Sequence, residues 1–474
     1  MVKLIKKFSE ANPATKATMA LLFANLVLKG LSLISGPVFT RIMTTEQYGL
    51  VSTFTSWQSM LAAVVTLNLS QGVFNNGMLD YKEDRDAFQF SLAIISCVTA
   101  CIFFMVYIVG RRYFLELFEM PEIMVYIMFL HFLFVPSYSF WSGRQRYEFK
   151  YKLLTVITIG SAFLALSLGI AAVLFSPDNQ DAIARVCTME GVSISLGVVF
   201  FLYIALHAKF KFKWEYCKYA LRFNVPLIPH YLSMYVLSSS DRIMITKMIN
   251  TSATAIYSVA YTVASVINIF WQSLEASLSP WIYEKLKNND VKPVKDLTAK
   301  VIAFFAVMCV GCTLFAPEIM IILAPSDYSE GVYAIPAVAA GVFFTAMYSL
   351  YMRIELFYKK TGFATIATTI AAVTNIILNY IFIRMMGYLA AGYTTMVCYA
   401  LLALFHYFTV RHKGFSNILN NKAFLFIALI VIVLTVLITF VYAIPFVRYI
   451  SIIILVLLLI YKRKEIISVI KKKI

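Results

Sequence analysis

The chain is a succession of apolar runs about twenty residues long, separated by short polar loops. Twenty helical residues span about 30 Å, the thickness of a bilayer's hydrocarbon core. The runs fall at 17–42, 48–73, 88–110, 122–142, 153–175, 182–206, 219–243, 254–281, 297–323, 332–357, 363–384, 387–410, 423–442 and 444–461. The split between the last two rests on Pro445 and Arg448. Hydrophobic residues make up 61% of the 474 and charged ones 14%, more apolar surface than a soluble chain can hide. The expectation is an all-α polytopic membrane protein with about 14 transmembrane helices. No loop exceeds about twenty residues, so no soluble domain is expected. The first run is too long for a signal peptide and lacks a cleavage site. Cys309-Val-Gly-Cys312 lies in an apolar run with no flanking ligands and reads as helix packing.

Charge supports the count. With a cytoplasmic N-terminus, the inside segments hold Lys3, Lys6, Lys7, Lys16, Lys82, Arg85, Arg144, Arg146, Lys150, Lys152, Lys209, Lys211, Lys213 and Lys218. They also hold Lys285, Lys287, Lys292, Lys295, Lys300, Lys359, Lys360, Arg411, Lys413, Lys422, Lys462, Arg463, Lys464 and Lys471 to Lys473. The outside loops hold Arg111, Arg112, Lys247, Arg384 and Arg448. This alternation places both termini in the cytoplasm. The net charge of +17 is then topological, in contact with anionic headgroups, and no nucleic-acid partner is expected.

The chain also looks duplicated. A shift of 201 residues lays Arg41-Ile-Met43 on Arg242-Ile-Met244, Ser32 on Ser233 and Lys29 on His230. A shift of 209 lays Tyr48 on Tyr257, and one of 207 lays Arg146-Tyr-Glu-Phe-Lys-Tyr-Lys152 on Arg353-Ile-Glu-Leu-Phe-Tyr-Lys359. Both last copies read R-x-E-x-x-Y-K. Six spans per unit gives parallel repeats about an axis along the membrane normal. The expected domains are an N-lobe (1–210), a C-lobe (211–412) and a C-terminal helix pair (413–474). The pair is almost wholly apolar and reads as lipid-facing.

Several spans carry a polar face. In span 7, Arg222, Pro226, His230, Ser233 and Asp241 fall near one helical face. Pro226 and Pro229 each leave a carbonyl without its helical donor, which lipid cannot satisfy. That face lines a cavity or bonds neighbouring helices. In span 1, Asn25, Lys29, Ser32, Gly36 and Thr40 share a face, with Lys29 about 16 Å deep. A charge there costs at least ~2.5 kcal/mol, so Lys29 either binds cargo or pairs with a carboxylate. Ser52, Ser56, Ser59, Thr66 and Ser70 line span 2; Ser258, Thr262, Ser265, Asn268, Gln272, Glu275 and Ser279 line span 8. Such hydroxyls also pack helices, so Asn268, Gln272 and Glu275 weigh more. Arg41 and Arg242 end their spans and either snorkel or face the path. Arg185 and Glu190 either pair or reach toward a cleft. Asn375 and Asn379 read as interhelical hydrogen bonds.

No enzyme site appears: there is no H-E-x-x-H, P-loop or G-x-S-x-G. A duplicated bundle with a cationic path and no ATPase reads as a secondary transporter. The stretches PVFTRIMTTEQYGLVSTF, NVPLIPHYLSMYVLSSSDRIMI and APEIMIILAPSDYSEGVYAIP resemble the polysaccharide (Wzx-type oligosaccharide) flippases. Their superfamily also holds the multidrug and toxin extrusion transporters and the peptidoglycan lipid flippases. The resemblance implies a V-shaped, two-lobed fold with alternating access. It also implies a cargo of polyprenyl-diphosphate-linked oligosaccharide, moved to the outer leaflet of a bacterial plasma membrane, with helices 13 and 14 offering a groove for the lipid tail.

The binding candidates are therefore Lys29, Arg41, Arg222, His230, Arg242, Asn268 and Gln272. Glu275 and Asp241 are the coupling candidates; Glu275, without a neighbouring basic residue, is the better proton site. Arg146, Glu148, Arg353 and Glu355 are the gating candidates, the arginines exchanging the glutamates as partners. No cofactor or metal is expected beyond a coupling ion, H+ or Na+. The expected partners are the lipid-linked oligosaccharide, membrane lipids and other polysaccharide-assembly proteins, with the chain itself monomeric. Two other readings stand beside this one, a drug/cation antiporter and a membrane polysaccharide polymerase or ligase.

Overall fold

The computed structural model describes residues 12–359 and 364–461. Of the basic residues used for topology, Lys3, Lys6, Lys7, Lys360, Lys462, Arg463, Lys464 and Lys471 to Lys473 lie outside the described residues. The described chain is helical throughout, without strands. In order the helices are α1 (Pro13–Ile42), α2 (Thr45–Val65), α3 (Val73–Asp80), α4 (Arg85–Val109), α5 (Arg111–Phe118), α6 (Glu122–Tyr147), α7 (Tyr151–Leu174), α8 (Asp181–His207) and α9 (Trp214–Asn224). There follow α10 (Ile228–Met248), α11 (Thr251–Lys287), α12 (Val291–Leu314), α13 (Ala316–Leu323), α14 (Ile335–Phe357), α15 (Ala364–Met386), α16 (Ala390–His412), α17 (Asn421–Val441) and α18 (Pro445–Tyr461).

Eleven of these are long and apolar enough to cross a membrane, which makes the chain a multi-pass membrane protein. The other three expected spans are helices too. α18 has 17 described residues, at the short end of the range that crosses a bilayer. α2 and α10 have 21 each but are too polar, because they are the helices whose serines, Asp241 and Arg242 give them a polar side.

Polar residues cap the helix starts. The Asn12 side chain accepts from Thr15 N at 2.8 Å with Pro13 in the first turn; Thr44 caps α2 and Asn250 caps α11 in the same way. Two expected boundaries are corrected. Span 2 ends at Val65, not residue 73: Leu67 (φ 52) and Asn68 (φ 48) turn left-handed, so Ser70 leaves the serine face. The Asn224 side chain fixes this turn by donating to the carbonyls of Leu67 and Asn68, each at 2.9 Å. At Gly72 (φ +32) an added Cβ would also meet the Phe223 ring at 3.2 Å. Span 7 is not one helix. Pro226 interrupts it with a 3-10 turn, Val225–Leu227, between α9 and α10. Ile228 N donates to Val225 O there, so the tighter turn supplies part of the missing bonding. Arg222 consequently sits on a different segment from His230, Ser233 and Asp241.

The chain divides into two compact units, Met1–Tyr235 and Val236–Ile474. The division falls inside α10 and not at 210–211, because α9 packs on α4: Cys217 Sγ lies 3.4 Å from Ser91 O, and Tyr216 and Tyr219 bond Asp84 and Asp80. In the first unit α6 packs tightly on α8. Gly197 allows this; a Cβ there would lie 2.5 Å from the Phe134 carbonyl carbon. Trp141 and Phe200 stack at 4.0 Å across the same seam. α7 joins α8 to α1.

In the second unit α14 is the centre, with 83% of its apolar window buried against α16, α11, α12 and α17. The pairing pattern repeats: spans 4 with 6 and 5 with 6 in the first unit, spans 10 with 12 and 11 with 12 in the second. That repetition is the structural form of the duplication. The last helices, α17 and α18, pack on α12 and leave long rows of exposed Leu, Ile and Phe, as expected of lipid-facing helices. Arg448, read from the sequence as a loop residue, is instead buried and held two-pronged by Glu318 at 2.6 and 2.9 Å, tying α18 to α13.

Candidate functional site

In the first unit, Lys29 sits half-buried midway along α1, and Asn25 one turn before it is exposed. No carboxylate among the described residues lies within ion-pair distance of Lys29. His230, near the start of α10, is half-buried in the same compact unit as Lys29. Arg222 is exposed near the end of α9. Arg41 closes α1 by donating from Nη1 to Pro37 O at 2.8 Å, using a carbonyl in the last turn.

Two half-buried groups in this unit rearrange the expectations. Glu190 on α8 faces His131 on α6, Oε2 to Nδ1 2.6 Å, rather than Arg185. Arg185 stacks over Phe39 at 3.8 Å and Tyr48 at 5.3 Å, a cation–π site between α8 and the end of α1. His131 escaped the sequence reading, although an ionisable residue in mid-span is itself a signal.

At the loop end of the unit, Arg144 rather than Arg146 carries the ion pairs. Its guanidinium holds Asp86 and, at 2.8 Å, Glu148; Lys150 also holds Glu148 at 2.6 Å. Arg146 is exposed. Nearby, Lys213 Nζ meets Asp84 at 2.5 Å and Tyr216 donates to Asp84 at 2.7 Å. Burial pushes the Asp84 carboxyl up, but the bonds from Lys213 and Tyr216 and the charge of Lys211 outweigh it and hold it below the usual carboxylate range.

The second unit holds the densest polar network. Asp241 is 0% exposed. It accepts from Tyr257 Oη (2.6 Å), Asn379 Nδ2 (2.7 Å) and Thr395 Oγ1 (2.8 Å), from three other helices. Asn375 donates to Thr395 and accepts from Ser240, and Thr394 donates to Asn379. The interhelical roles expected of Asn375 and Asn379 are thus borne out, but Asp241 is a network node and not the end of an open polar face. Arg242 turns away, donating to Ser238 O at 2.9 Å and lying over the Tyr261 ring at 4.2 Å.

Glu275 is not isolated. Arg353 grips its Oε1 through Nε at 3.0 Å and Nη2 at 2.8 Å, from a helix 78 residues away in sequence. Glu355 in turn faces His406, Oε1 to Nδ1 2.9 Å, the pair almost wholly buried. The twin R-x-E-x-x-Y-K segments therefore do not pair arginine with glutamate as expected. They also differ locally: Glu148 caps the end of α6, whereas Glu355 lies inside α14. Along α11, Asn268 is half-buried and Gln272 exposed.

The described residues contain no group of three or more His, Cys, Asp or Glu that would hold a metal ion. The second unit offers a buried carboxylate with neutral donors, Asp241, and an arginine–glutamate pair, Arg353 with Glu275.

The fold and sequence have known counterparts. Residues 14–285 match the model of the polysaccharide biosynthesis protein family. The chain is 23% identical over 176 residues to the "Probable low-salt glycan biosynthesis flippase Agl15" of Haloferax volcanii; the match covers 36% of this chain and 37% of that protein, so the chain spans little more than a third of this relative's length. Among solved structures, the lipid II flippase MurJ in an inward closed conformation superposes with a TM-score of 0.63 at 17% identity, over 95% of this chain and 100% of that one. An inward-facing MATE multidrug-resistance transporter of the MOP superfamily superposes at 0.62 and 12% identity, over 84% and 98%. The chain belongs to the polysaccharide biosynthesis protein family and has the all-helical fold that MurJ and the MATE transporters share.

Proposed function

We propose that this chain is a flippase that moves polyprenyl-diphosphate-linked oligosaccharide from the inner to the outer leaflet of a bacterial plasma membrane by alternating access, with both termini cytoplasmic. The family, and relatives named as a glycan biosynthesis flippase and a lipid II flippase, support a lipid-linked cargo. The observation that carries the reading is Lys29, half-buried in mid-span with no carboxylate among the described residues in ion-pair distance. A diphosphate crossing the bilayer needs positive charge at that depth. Lysine offers a mobile point charge that releases as well as binds, where arginine would grip phosphate with two prongs. Arg222, His230, Arg41 and Arg242 supply further cationic steps, and Asn268 and Gln272 offer hydrogen bonds to sugar hydroxyls.

A drug/cation antiporter would need a carboxylate free to meet a cationic cargo. Asp241 is 0% exposed and Glu275 is neutralised by Arg353, which favours the anionic cargo. For coupling, the Arg353 pair moves the preference from Glu275 to Asp241, whose direct partners are neutral hydroxyls and an amide. Such a carboxylate can exchange H+ or Na+ without first breaking an ion pair. Arg353 keeps its place as a gating residue with Glu275 as its partner. Depleting the protein in cells should stop surface polysaccharide and accumulate lipid-linked oligosaccharide in the inner leaflet. Normal surface polysaccharide in depleted cells would reject the function.

A further inference from the structure

The second unit contains an apolar cavity of about 250 Å³ between α14, α16 and α17. Ala403 and Ala428, 2% and 6% exposed, line its interior, where their small side chains leave the space. Its rim is formed by Leu404, Leu425 and Leu429, all roughly half exposed. An exposed apolar rim on two spanning helices suits entry from the bilayer. The cavity's volume matches roughly eight waters at ~30 Å³ each, enough for the leading part of one hydrocarbon chain and too apolar for a glycan.

One end of the cavity is polar. Tyr351 donates to Asn421 Oδ1 at 3.0 Å, and both line the space with Tyr407. Arg411 reaches back to Tyr407 Oη, 3.4 Å from its Nη1, and Lys422 follows Asn421. Both cations are exposed, and neither has a carboxylate within 4.0 Å among the described residues. The cavity's own lining is uncharged; the two cations stand beside it, Arg411 on the Tyr407 hydroxyl and Lys422 next to Asn421 in the chain. They lie at the end of the helices that the basic-residue pattern assigns to the cytoplasm.

We propose that this cavity binds an anionic phospholipid of the bilayer, one chain in the slot and the phosphate on Arg411 and Lys422. It is a lipid site separate from the cargo cations, and its test does not depend on transport. The full chain in nanodiscs or detergent is titrated with phosphatidylglycerol and with phosphatidylcholine, and bound lipid is counted by native mass spectrometry. Phosphatidylglycerol should bind tighter by about five-fold per cation. Arg411→Gln with Lys422→Gln, both at exposed positions, should bring the preference close to one. Ala428→Leu should lower phosphatidylglycerol binding with both charges intact. No headgroup preference in the wild type, or wild-type binding in the double variant, would overturn the proposal. So would displacement of phosphatidylglycerol by an equal concentration of polyprenyl diphosphate, since the slot would then serve the cargo's tail.

Discussion

Replacing Asp241 with alanine should destabilise the second unit far more than removing any one of its partners. The variant strips the acceptor from Tyr257, Asn379 and Thr395. Asn379 Nδ2 keeps Asn375 Oδ1 at 3.2 Å; the hydroxyl protons of Tyr257 and Thr395 lose their acceptor. Interhelical bonds in membranes contribute roughly 0.6–1.7 kcal/mol each, so three give about 2–5 kcal/mol. Two stranded buried donors push the cost to the upper half of that range, about 3–5 kcal/mol. Each kcal/mol moves the melting temperature of a unit this size by about 2–4 °C, so the expected drop is about 10 °C. Thermal unfolding in detergent, followed by near-ultraviolet circular dichroism, reads it. Thr395→Ala should cost about 1 kcal/mol and Tyr257→Phe about 1–2 kcal/mol. In the Asp241→Ala background, Tyr257→Phe should cost less than half of that, because its partner is already gone. An Asp241→Ala shift no larger than that of Thr395→Ala, or strict additivity with Tyr257→Phe, would refute the network's role.

Three further outcomes follow from local geometry. Gly197→Leu should separate α6 from α8 and cost about 3 kcal/mol or more, the scale of overpacking against backbone, while Gly191→Leu, where an added Cβ meets nothing within 4 Å, should be far milder in the same melt. Arg353→Glu should abolish transport, and Glu275→Arg in that background should restore part of it, while Glu355→Arg should not; rescue by Glu355→Arg alone would reject the pairing seen here. Asp84 has a depressed carboxyl, so its contribution is present above the ordinary carboxylate value of about 4 and is lost as pH falls below it. The stability gap between wild type and Asp84→Asn should therefore narrow from pH 7 to pH 3, and a gap that widens on acidification would contradict the assignment.

What the sequence made legible was whatever a period or a length encodes. Each of the fourteen runs holds a helix of 17 residues or more, and the two that are too polar, α2 and α10, were already marked by their polar faces. The turn at Leu67–Asn68 was not legible, since its left-handed backbone is fixed by Asn224, more than 150 residues on. The break at Pro226 was half visible: two prolines foretold missing donors, but not that a 3-10 turn would satisfy part of them and detach Arg222 from the His230 face. Charge pairing was the least legible. Glu275 looks isolated along the chain because its arginine arrives from α14, and Arg144, not Arg146, pairs because the last turn of α6 aims it at Asp86 on α4. Lys29 stood out because depth alone makes a lone lysine costly.

The account turns on that lysine. In vesicles reconstituted with the purified protein and a fluorescent polyprenyl-diphosphate oligosaccharide, a membrane-impermeant quencher reads how fast the label changes leaflet. The wild type should equilibrate the leaflets faster than protein-free vesicles, Lys29→Ala should match the protein-free rate while melting like the wild type, and Lys29→Arg should retain part of the rate. Wild-type flipping by Lys29→Ala would contradict the account at its centre.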